Sequence, residues 1–90
     1  MQGTYTFHED PGHGWLQVPH ADIAALGVEI TPYSYQKGAY AYLEEDCDAP
    51  AFMQARTDAG HADPEIEHVL HRVMDSPIRR YASYRETVRS

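Results

Sequence analysis

Apolar and polar residues alternate over the first positions of the chain. Tyr5 and Phe7 fall on one side of residues 4–8, and this period of two predicts a β-strand. Residues 9–14 contain the Pro and Gly that favour a turn, and residues 15–18 are again mostly apolar. The pattern therefore predicts an antiparallel hairpin with a long loop.

A short helical pattern follows this hairpin. Ile23 and Leu26 form the apolar side of residues 20–26. Gly27 is placed to adopt the left-handed conformation that commonly ends a helix, and Val28 can make the apolar contact beyond it. We therefore predict a helix over residues 20–26.

Tyrosines alternate with other residues on both sides of Lys37-Gly38, at Tyr33, Tyr35, Tyr40 and Tyr42. A two-residue turn at Lys37-Gly38 predicts a second hairpin. In that register Tyr35 lies opposite Tyr40, and Tyr33 lies opposite Tyr42. Cross-strand aromatic pairs of this kind contribute ~0.2–1 kcal/mol each. The tyrosine stripe fits either packing within the protein or an exposed recognition surface.

A second helix is expected after residue 47. Asp48 is a favourable N-cap, and Pro50 is tolerated in a first helical turn because its missing N–H removes no bond there. Phe52 and Met53 supply the buried side. Gly60 marks the expected end of this helix.

Residues 64–74 are compatible with two structures. Asp63-Pro64-Glu65 is typical of a helix start, and the apolar residues that follow recur at helical spacing. These residues are Ile66, Val69, Leu70 and Val73. The spacing favours a helix, but the β-branched side chains leave a strand open.

Together these elements predict an α+β fold with a small antiparallel sheet. The predicted arrangement is ββα-ββα, followed by a C-terminal segment that is helical or a strand. Ninety residues suit a single domain, residues 1–90. We expect residues 77–90 to form a flexible basic tail. A domain of this size favours a shallow binding surface over a deep, enclosed active site.

Charge is distributed unevenly along the chain. Residues 1–71 hold twelve acidic side chains against Lys37 and Arg56 alone, a net charge of −10, whereas residues 72–90 carry a net charge of +3. Such asymmetry is typical of a partner surface. The alternative is that the basic terminal segment lies on the acidic body of the same chain.

The composition also restricts location and covalent chemistry. Cys47 is the only cysteine, so no disulfide within the chain is possible, and this fits a reducing compartment. The first residues lack the pattern of a signal peptide, and no apolar run is long enough to cross a membrane. The sequence therefore predicts a cytoplasmic protein.

The densest acidic run comes directly after the tyrosines and consists of Glu44, Glu45, Asp46 and Asp48. It lacks the spacing of a calcium-binding loop. One interpretation is a solvated strand end that also places negative charge at a helix N-terminus. The functional interpretation is a run of carboxylates that mimics a phosphate backbone, with Tyr33, Tyr35, Tyr40 and Tyr42 as aromatic anchors for a partner.

Six histidines raise the question of a metal site. His68 and His71 are three residues apart, which on a helix would place both on one side. The spacing is not H-E-x-x-H, no C-x-x-C is present, and a further ligand such as His61 or Asp63 would have to come from elsewhere. We therefore predict no metal and no other cofactor.

Other catalytic patterns are also missing from the sequence. No serine lies in a G-x-S-x-G context, and Gly12-His13-Gly14 is not a phosphate-binding loop. The carboxylates around Cys47 disfavour its thiolate, so a reactive thiol is not expected. Cationic and aromatic residues mix near the C-terminus, where Arg79, Arg80 and Arg85 form a second candidate surface for a partner.

Four runs carry a resemblance to known proteins: D-P-G-H-G-W-L-Q-V-P (10–19), Y-S-Y-Q-K-G (33–38), Y-L-E-E-D-C-D (42–48) and D-S-P-I-R-R-Y (75–81). With these runs the chain resembles a group of small uncharacterised proteins carried by phages, plasmids and other bacterial mobile elements. The resemblance implies a mobile-element setting, in which small acidic proteins are often similar to anti-CRISPR or anti-restriction inhibitors. It implies no catalytic residues.

These observations favour a non-enzymatic, acidic interaction protein. We expect an anti-CRISPR-like inhibitor that acts as a DNA mimic and occupies the basic nucleic-acid-binding surface of a host CRISPR or restriction complex. It would bind neither nucleic acid nor a membrane directly. Two alternatives remain: a small metal-dependent enzyme that uses a histidine cluster, and a regulatory or structural subunit that docks through its Arg-rich tail.

Overall fold

The computed structural model describes residues 1–71 and 76–84 of the chain. The elements in chain order are β1 (Thr4–Glu9), β2 (Gly14–Pro19), α1 (His20–Leu26), β3 (Tyr35–Lys37), β4 (Tyr40–Glu44), α2 (Asp48–Asp58), β5 (Glu65–Leu70), a 3-10 helix (Pro77–Arg80) and β6 (Ala82–Ser83). The α+β fold class is therefore confirmed, and the first strand pair and α1 form where the sequence predicted them.

All six strands form one sheet in the order β5-β1-β2-β4-β3-β6. The pairs β1–β2, β2–β4, β4–β3 and β3–β6 are antiparallel, whereas β5 runs parallel to β1. The sheet is thus larger than the small antiparallel sheet expected from the sequence, and it is mixed. β5 and β6 each add one strand at an edge, and β5 alone makes the sheet mixed.

Of the two structures that the sequence left open for residues 64–74, the described part forms the strand, and the favoured helix is wrong. β5 extends along β1, where the Glu65 amide donates to the Gly3 carbonyl and the His71 amide donates to the Glu9 carbonyl, each at 2.8 Å. An extended chain here satisfies the backbone groups of β1, which a helix could not do. Residues 72–74 lie outside the described residues.

The second hairpin is present, but its register differs from the prediction. Tyr35 lies opposite Tyr42, not opposite Tyr40, and Tyr40 lies opposite Lys37. The two loop residues are Gly38 and Ala39, and Gly38 has a φ of 60°. A loop at Lys37-Gly38 of the type that needs two positive φ angles would have placed Lys37 in a left-handed conformation, whereas the observed loop requires this only of the glycine.

The two faces of the sheet have different partners. On one face, α1 and α2 cover the main core, whose buried members are Tyr5, Leu16, Val18, Ile23, Ala41, Leu43, Ala49 and Phe52. We call this the helix face. On the opposite face, which we call the outer face, a second cluster surrounds Trp15, Tyr42 and Ile78. The alternation of side chains along β2 and β4 explains the division, because neighbouring residues of a strand point to opposite faces.

Residues 77–84, which the sequence assigned to a flexible basic tail, pack against the sheet in the structure. Ile78 is buried against the outer face, where it packs with Trp15 and Tyr42. The Tyr81 ring contacts Tyr42 at a centroid distance of 5.0 Å, and β6 pairs with β3. This part of the basic segment therefore lies on the body of its own chain, and residues 85–90 lie outside the described residues.

A buried polar cluster connects the N-terminus to both helices. The Tyr5 hydroxyl donates to Asp22 at 2.7 Å and accepts from the Arg56 Nε at 3.2 Å. Arg56 also donates to the carbonyl of Gln2 at 2.6 Å and to that of Ala62. Burial raises the pKa of Tyr5, and the hydrogen bond to Asp22 raises it further. Arg56, one of the few cations of the chain, is thereby removed from the surface.

Asp48 does not act as the predicted N-cap of α2. The capping position belongs to Cys47, and Asp48 is the first residue of the helix. Its buried carboxylate accepts hydrogen bonds from the Thr31 amide and hydroxyl and from the Ser34 hydroxyl, the last at 2.5 Å. Asp48 therefore fixes the loop before β3. Its carboxylate can be buried there because several hydrogen-bond donors of that loop point at it.

Neither α1 nor α2 has the length and apolar character needed to cross a membrane, and the same holds for the other helical residues in the described ranges.

Candidate functional site

An open cleft of about 460 Å³ lies on the outer face, at the end of the sheet where β2 begins and β4 ends. Its aromatic lining comes from His13, Trp15, Tyr33 and Tyr35, and its charged rim from Glu44, Asp46 and Arg79, with Cys47 beside them. Trp15 of β2 lies directly opposite Glu44 of β4, and this pairing places the aromatic lining beside the charged rim.

The floor of the cleft is aromatic. Trp15 is almost fully buried, and the Tyr35 ring meets it edge to face at a centroid distance of 6.3 Å. The His13 ring stacks on Trp15 at 5.9 Å, with 17° between the ring planes. Tyr33 is 75% exposed and forms a wall that a ligand can contact. Aromatic rings present negative π faces, so such a surface suits a cation.

Arg79 reaches the cleft from the 3-10 helix and is held there by Asp10. Its Nε and Nη2 atoms donate to the two oxygens of the Asp10 carboxylate at 2.6 and 2.8 Å, a bidentate ion pair. The guanidinium lies 5.7 Å from the Trp15 ring centre, and Nη2 lies 2.9 Å from the His13 Nδ1. Arg79 is therefore fixed by the protein itself.

The Asp10 carboxylate is the centre of this arrangement. Besides Arg79, it accepts from the amides of Gly12, His13 and Ser76 at 2.9–3.0 Å, and its side chain is fully buried. The Arg79 guanidinium and these amides hold the pKa of Asp10 far below its usual range, against the opposing effect of burial. The ion pair leaves little net charge of its own in the cleft.

The remaining charge of the cleft is negative. The Glu44 carboxylate accepts from the amides of Asp46 and Cys47 at 3.1 and 2.9 Å, which fixes the turn between β4 and α2. Asp46 is exposed. Because Arg79 is neutralised by Asp10, Glu44 and Asp46 determine the sign of the rim. Two carboxylates beside the exposed ring of Tyr33 are chemically suited to a cationic side chain.

The structure brings together residues from both surfaces that the sequence proposed for a partner. Tyr33, Tyr35, Glu44 and Asp46 of the first surface and Arg79 of the second line this one cleft. The Arg79 guanidinium forms an ion pair with Asp10, so its charge is used within the protein and not offered to a partner. The convergence follows from the packing of the 3-10 helix against β2.

The other proposed site residues lie elsewhere. Asp48 is buried, and so is Tyr42, whose pKa is raised by burial. Tyr40 is half-buried and packs against the outer cluster. The side chain of Glu45 is exposed but lines a groove on the helix face, and Arg80 is exposed outside the cleft. Arg85 lies outside the described residues.

The histidines proposed as metal ligands do not share a face. His68 lies on β5, where its ring meets Phe7 on the helix face, and His71 follows the strand three residues later. An odd spacing along an extended chain places side chains on opposite sides. Within residues 1–71 and 76–84, no group of three or more metal-binding side chains comes together.

Trp15, His13 and Asp10 were not predicted as site residues. A signal for Asp10 exists in the sequence, because Asp at the start of a Pro-Gly turn commonly accepts hydrogen bonds from the amides that follow. The contact between Asp10 and Arg79 joins residues that are 69 positions apart, and no local pattern indicates it. In the sequence, Trp15 is one of several apolar residues of a predicted strand, and nothing in that pattern distinguishes it as a site residue.

Comparison of the chain with protein-family models, with curated proteins and with solved structures gave no match.

Proposed function

We propose that this chain is a non-enzymatic, acidic interaction protein that inhibits a nucleic-acid-binding complex by occupying the basic surface of that complex. The observation that carries the proposal is the cleft, in which Glu44 and Asp46 lie beside the rings of Tyr33 and Tyr35. A lysine or arginine side chain entering it would meet carboxylates at its charged end and aromatic faces along its stem.

The distribution of charge outside the cleft supports the same kind of partner. The cationic side chains of the described residues are Lys37, Arg56, Arg79 and Arg80. Arg56 is buried and Arg79 is ion-paired with Asp10, so neither offsets the carboxylates of the surface. The resulting negative field speeds encounter with a basic partner and repels nucleic acid.

We further propose a bacterial mobile-element setting, in which a CRISPR or restriction complex is the class of partner. Such complexes bind DNA or RNA through rows of lysine and arginine, the side chains that the cleft suits. Aromatic residues are frequent anchors of interfaces, and Tyr33 is the exposed tyrosine of the cleft. In this proposal Tyr33 and Asp46 make the central contacts, and Glu44 shapes the rim.

The experiment compares two single charge reversals of equal size. Asp46→Lys changes the rim of the cleft, and Asp63→Lys changes an exposed carboxylate before β5. A panel of CRISPR surveillance complexes and restriction endonucleases is assayed for DNA binding with increasing amounts of each variant. We expect Asp46→Lys to weaken inhibition about tenfold or more, equivalent to about 1.4 kcal/mol, while Asp63→Lys changes it much less.

Glu44 is left unchanged in this test because its carboxylate stabilises the turn before α2. Circular dichroism establishes that both variants keep the wild-type fold. Equal inhibition by wild type and Asp46→Lys would exclude the cleft as the contact surface. Tight binding of the wild-type protein to bare DNA would overturn the proposal of a DNA mimic altogether.

A further inference from the structure

β5 forms an edge of the sheet, and every residue of it is exposed. Ile66, Val69 and Leu70 are among the most exposed large apolar side chains of the described residues, at 37%, 39% and 54%. No strand within residues 1–71 and 76–84 pairs with the outer side of β5. An apolar edge of this length is a template for pairing with another strand.

The hydrogen bonds to β1 show which backbone groups of β5 point outward. The amides of Glu65 and His71 donate to β1, and groups alternate along a strand, so the odd-numbered residues of β5 face β1. The amides and carbonyls of Ile66, His68 and Leu70 therefore point to the open edge. A second strand opposite these three residues would satisfy all of them.

Natural edges are commonly protected by charged side chains, especially lysine, by proline or by a bulge. β5, with the sequence E-I-E-H-V-L, has no lysine and no bulge, and proline occurs only before its first residue. Its two carboxylates, Glu65 and Glu67, share the outer face with Val69, because Ile66 and His68 lie on the helix face with Tyr5 and Phe7. The apolar part of the edge is thus uncovered.

We propose that the occupant of this edge is β5 of a second copy of the chain, running antiparallel and centred with His68 opposite His68. This register continues the sheet across a two-fold axis and keeps both helix faces on the same side. Ile66 then lies opposite Leu70 of the second copy, an apolar pair that occurs twice. Glu65 lies opposite His71 of the second copy, so a carboxylate meets an imidazole at each end.

Neighbouring registers are less complementary. A register centred on Glu67 places two carboxylates directly opposite each other, which is destabilising. A register centred on Val69 moves Leu70 opposite His68, and Ile66 loses its apolar partner. In the register centred on His68, the Leu70 side chain of each copy also approaches an apolar groove of the other copy. This groove has a volume of about 370 Å³ and is lined by Ile66, Phe7 and Met53.

Two lysine substitutions on adjacent exposed residues of β5 test this register. In the proposed dimer Val69 lies opposite Glu67 of the second copy, so Val69→Lys adds opposite charges across the interface. Leu70→Lys instead places a cation opposite Ile66. Sedimentation equilibrium on the full chain should show a wild-type dimer, a similar or tighter dimer for Val69→Lys, and a dissociation constant raised at least tenfold for Leu70→Lys.

Amide hydrogen exchange provides a second measurement that does not depend on either variant. In the dimer, the amides of Ile66, His68 and Leu70 should become protected as protein concentration rises, whereas those of Glu67 and Val69 are protected throughout by β1. A wild-type protein that stays monomeric, or a dimer in which the even-numbered amides remain unprotected, would overturn the proposal. Weakening by Val69→Lys equal to that by Leu70→Lys would overturn the register.

Salt separates this dimer from capture of a basic partner. Two copies of a chain with a net charge of −7 repel each other, so added salt should strengthen the dimer. Binding of a basic partner at the cleft should weaken under the same conditions. The dimer and the binding of a basic partner thus respond to salt in opposite directions, so failure of one prediction leaves the other unaffected.

Discussion

Replacing Asp10 by Asn tests whether one buried carboxylate holds residues 76–84 on the sheet. The substitution keeps the size of the side chain but removes its charge, and it replaces one acceptor oxygen by an NH₂ group that faces donors. In the wild type, that carboxylate accepts from three backbone amides and from two atoms of Arg79. The variant therefore leaves backbone donors without an acceptor and removes the negative charge beside the Arg79 guanidinium.

The expected loss is about 2–4 kcal/mol in the free energy of unfolding, because hydrogen bonds to charged groups are worth roughly 1.5–3 kcal/mol and the variant weakens or loses more than one of them. For a domain of this size the melting temperature should fall by roughly 10–25 °C. Asp63→Asn is the matched control, since that carboxylate is exposed, and it should change stability by less than about 0.5 kcal/mol.

The pH dependence has a definite sign. The folded-state pKa of Asp10 lies below its unfolded value of about 3.9, so its stabilising contribution is complete above that pH and is lost as pH falls toward the folded-state pKa. Urea unfolding from pH 7 to pH 2 should show the wild type and Asp10→Asn converging as pH falls. Equal midpoints for Asp10→Asn and Asp63→Asn at pH 7 would refute the account of this carboxylate.

Three further predictions concern other buried groups. Asp48→Ala should lower the free energy of unfolding by about 2–4 kcal/mol in urea titrations, because it leaves the buried Ser34 hydroxyl without its acceptor. Gly14→Ala should cost about 1–3 kcal/mol in the same assay, since an added Cβ would lie 2.5 Å from the Phe7 ring. The pKa of Tyr42 is raised by burial, so ultraviolet absorbance should show it ionising above pH 10, and stability should fall there because the unfolded chain ionises first.

The local parts of the fold could be predicted from sequence because their signals are local. The alternation of Tyr5 and Phe7 predicted β1. Gly27 predicted the end of α1, and it has a φ of 66° there. The register of the second hairpin could not be obtained in this way, because the tyrosine pattern is compatible with either loop position. The two loop positions differ in whether Lys37 must adopt a positive φ, and in the structure it does not.

Long-range contacts account for what the sequence did not reveal. β5 carries both helical spacing and β-branched residues, and the open edge of β1 decided between them. The candidate cleft was predicted in part: Tyr33, Tyr35, Glu44 and Asp46 came from local patterns. Its floor and its internal ion pair depend on contacts between Asp10, Trp15 and the 3-10 helix, which lie far apart in the sequence.

The reactivity of Cys47 offers the most direct measurement of whether the cleft receives a cationic partner. This cysteine is the only one in the chain, is exposed, and lines the cleft. The rate of its alkylation by N-ethylmaleimide is followed while an arginine-rich peptide is titrated and its binding is measured separately by fluorescence anisotropy. As a control, the same rate is measured in a Cys47→Ser chain carrying Asp63→Cys. We predict that bound peptide slows alkylation of Cys47 but not of the control cysteine. Full occupancy by peptide with an unchanged alkylation rate at Cys47 would contradict the proposal that basic side chains enter this cleft.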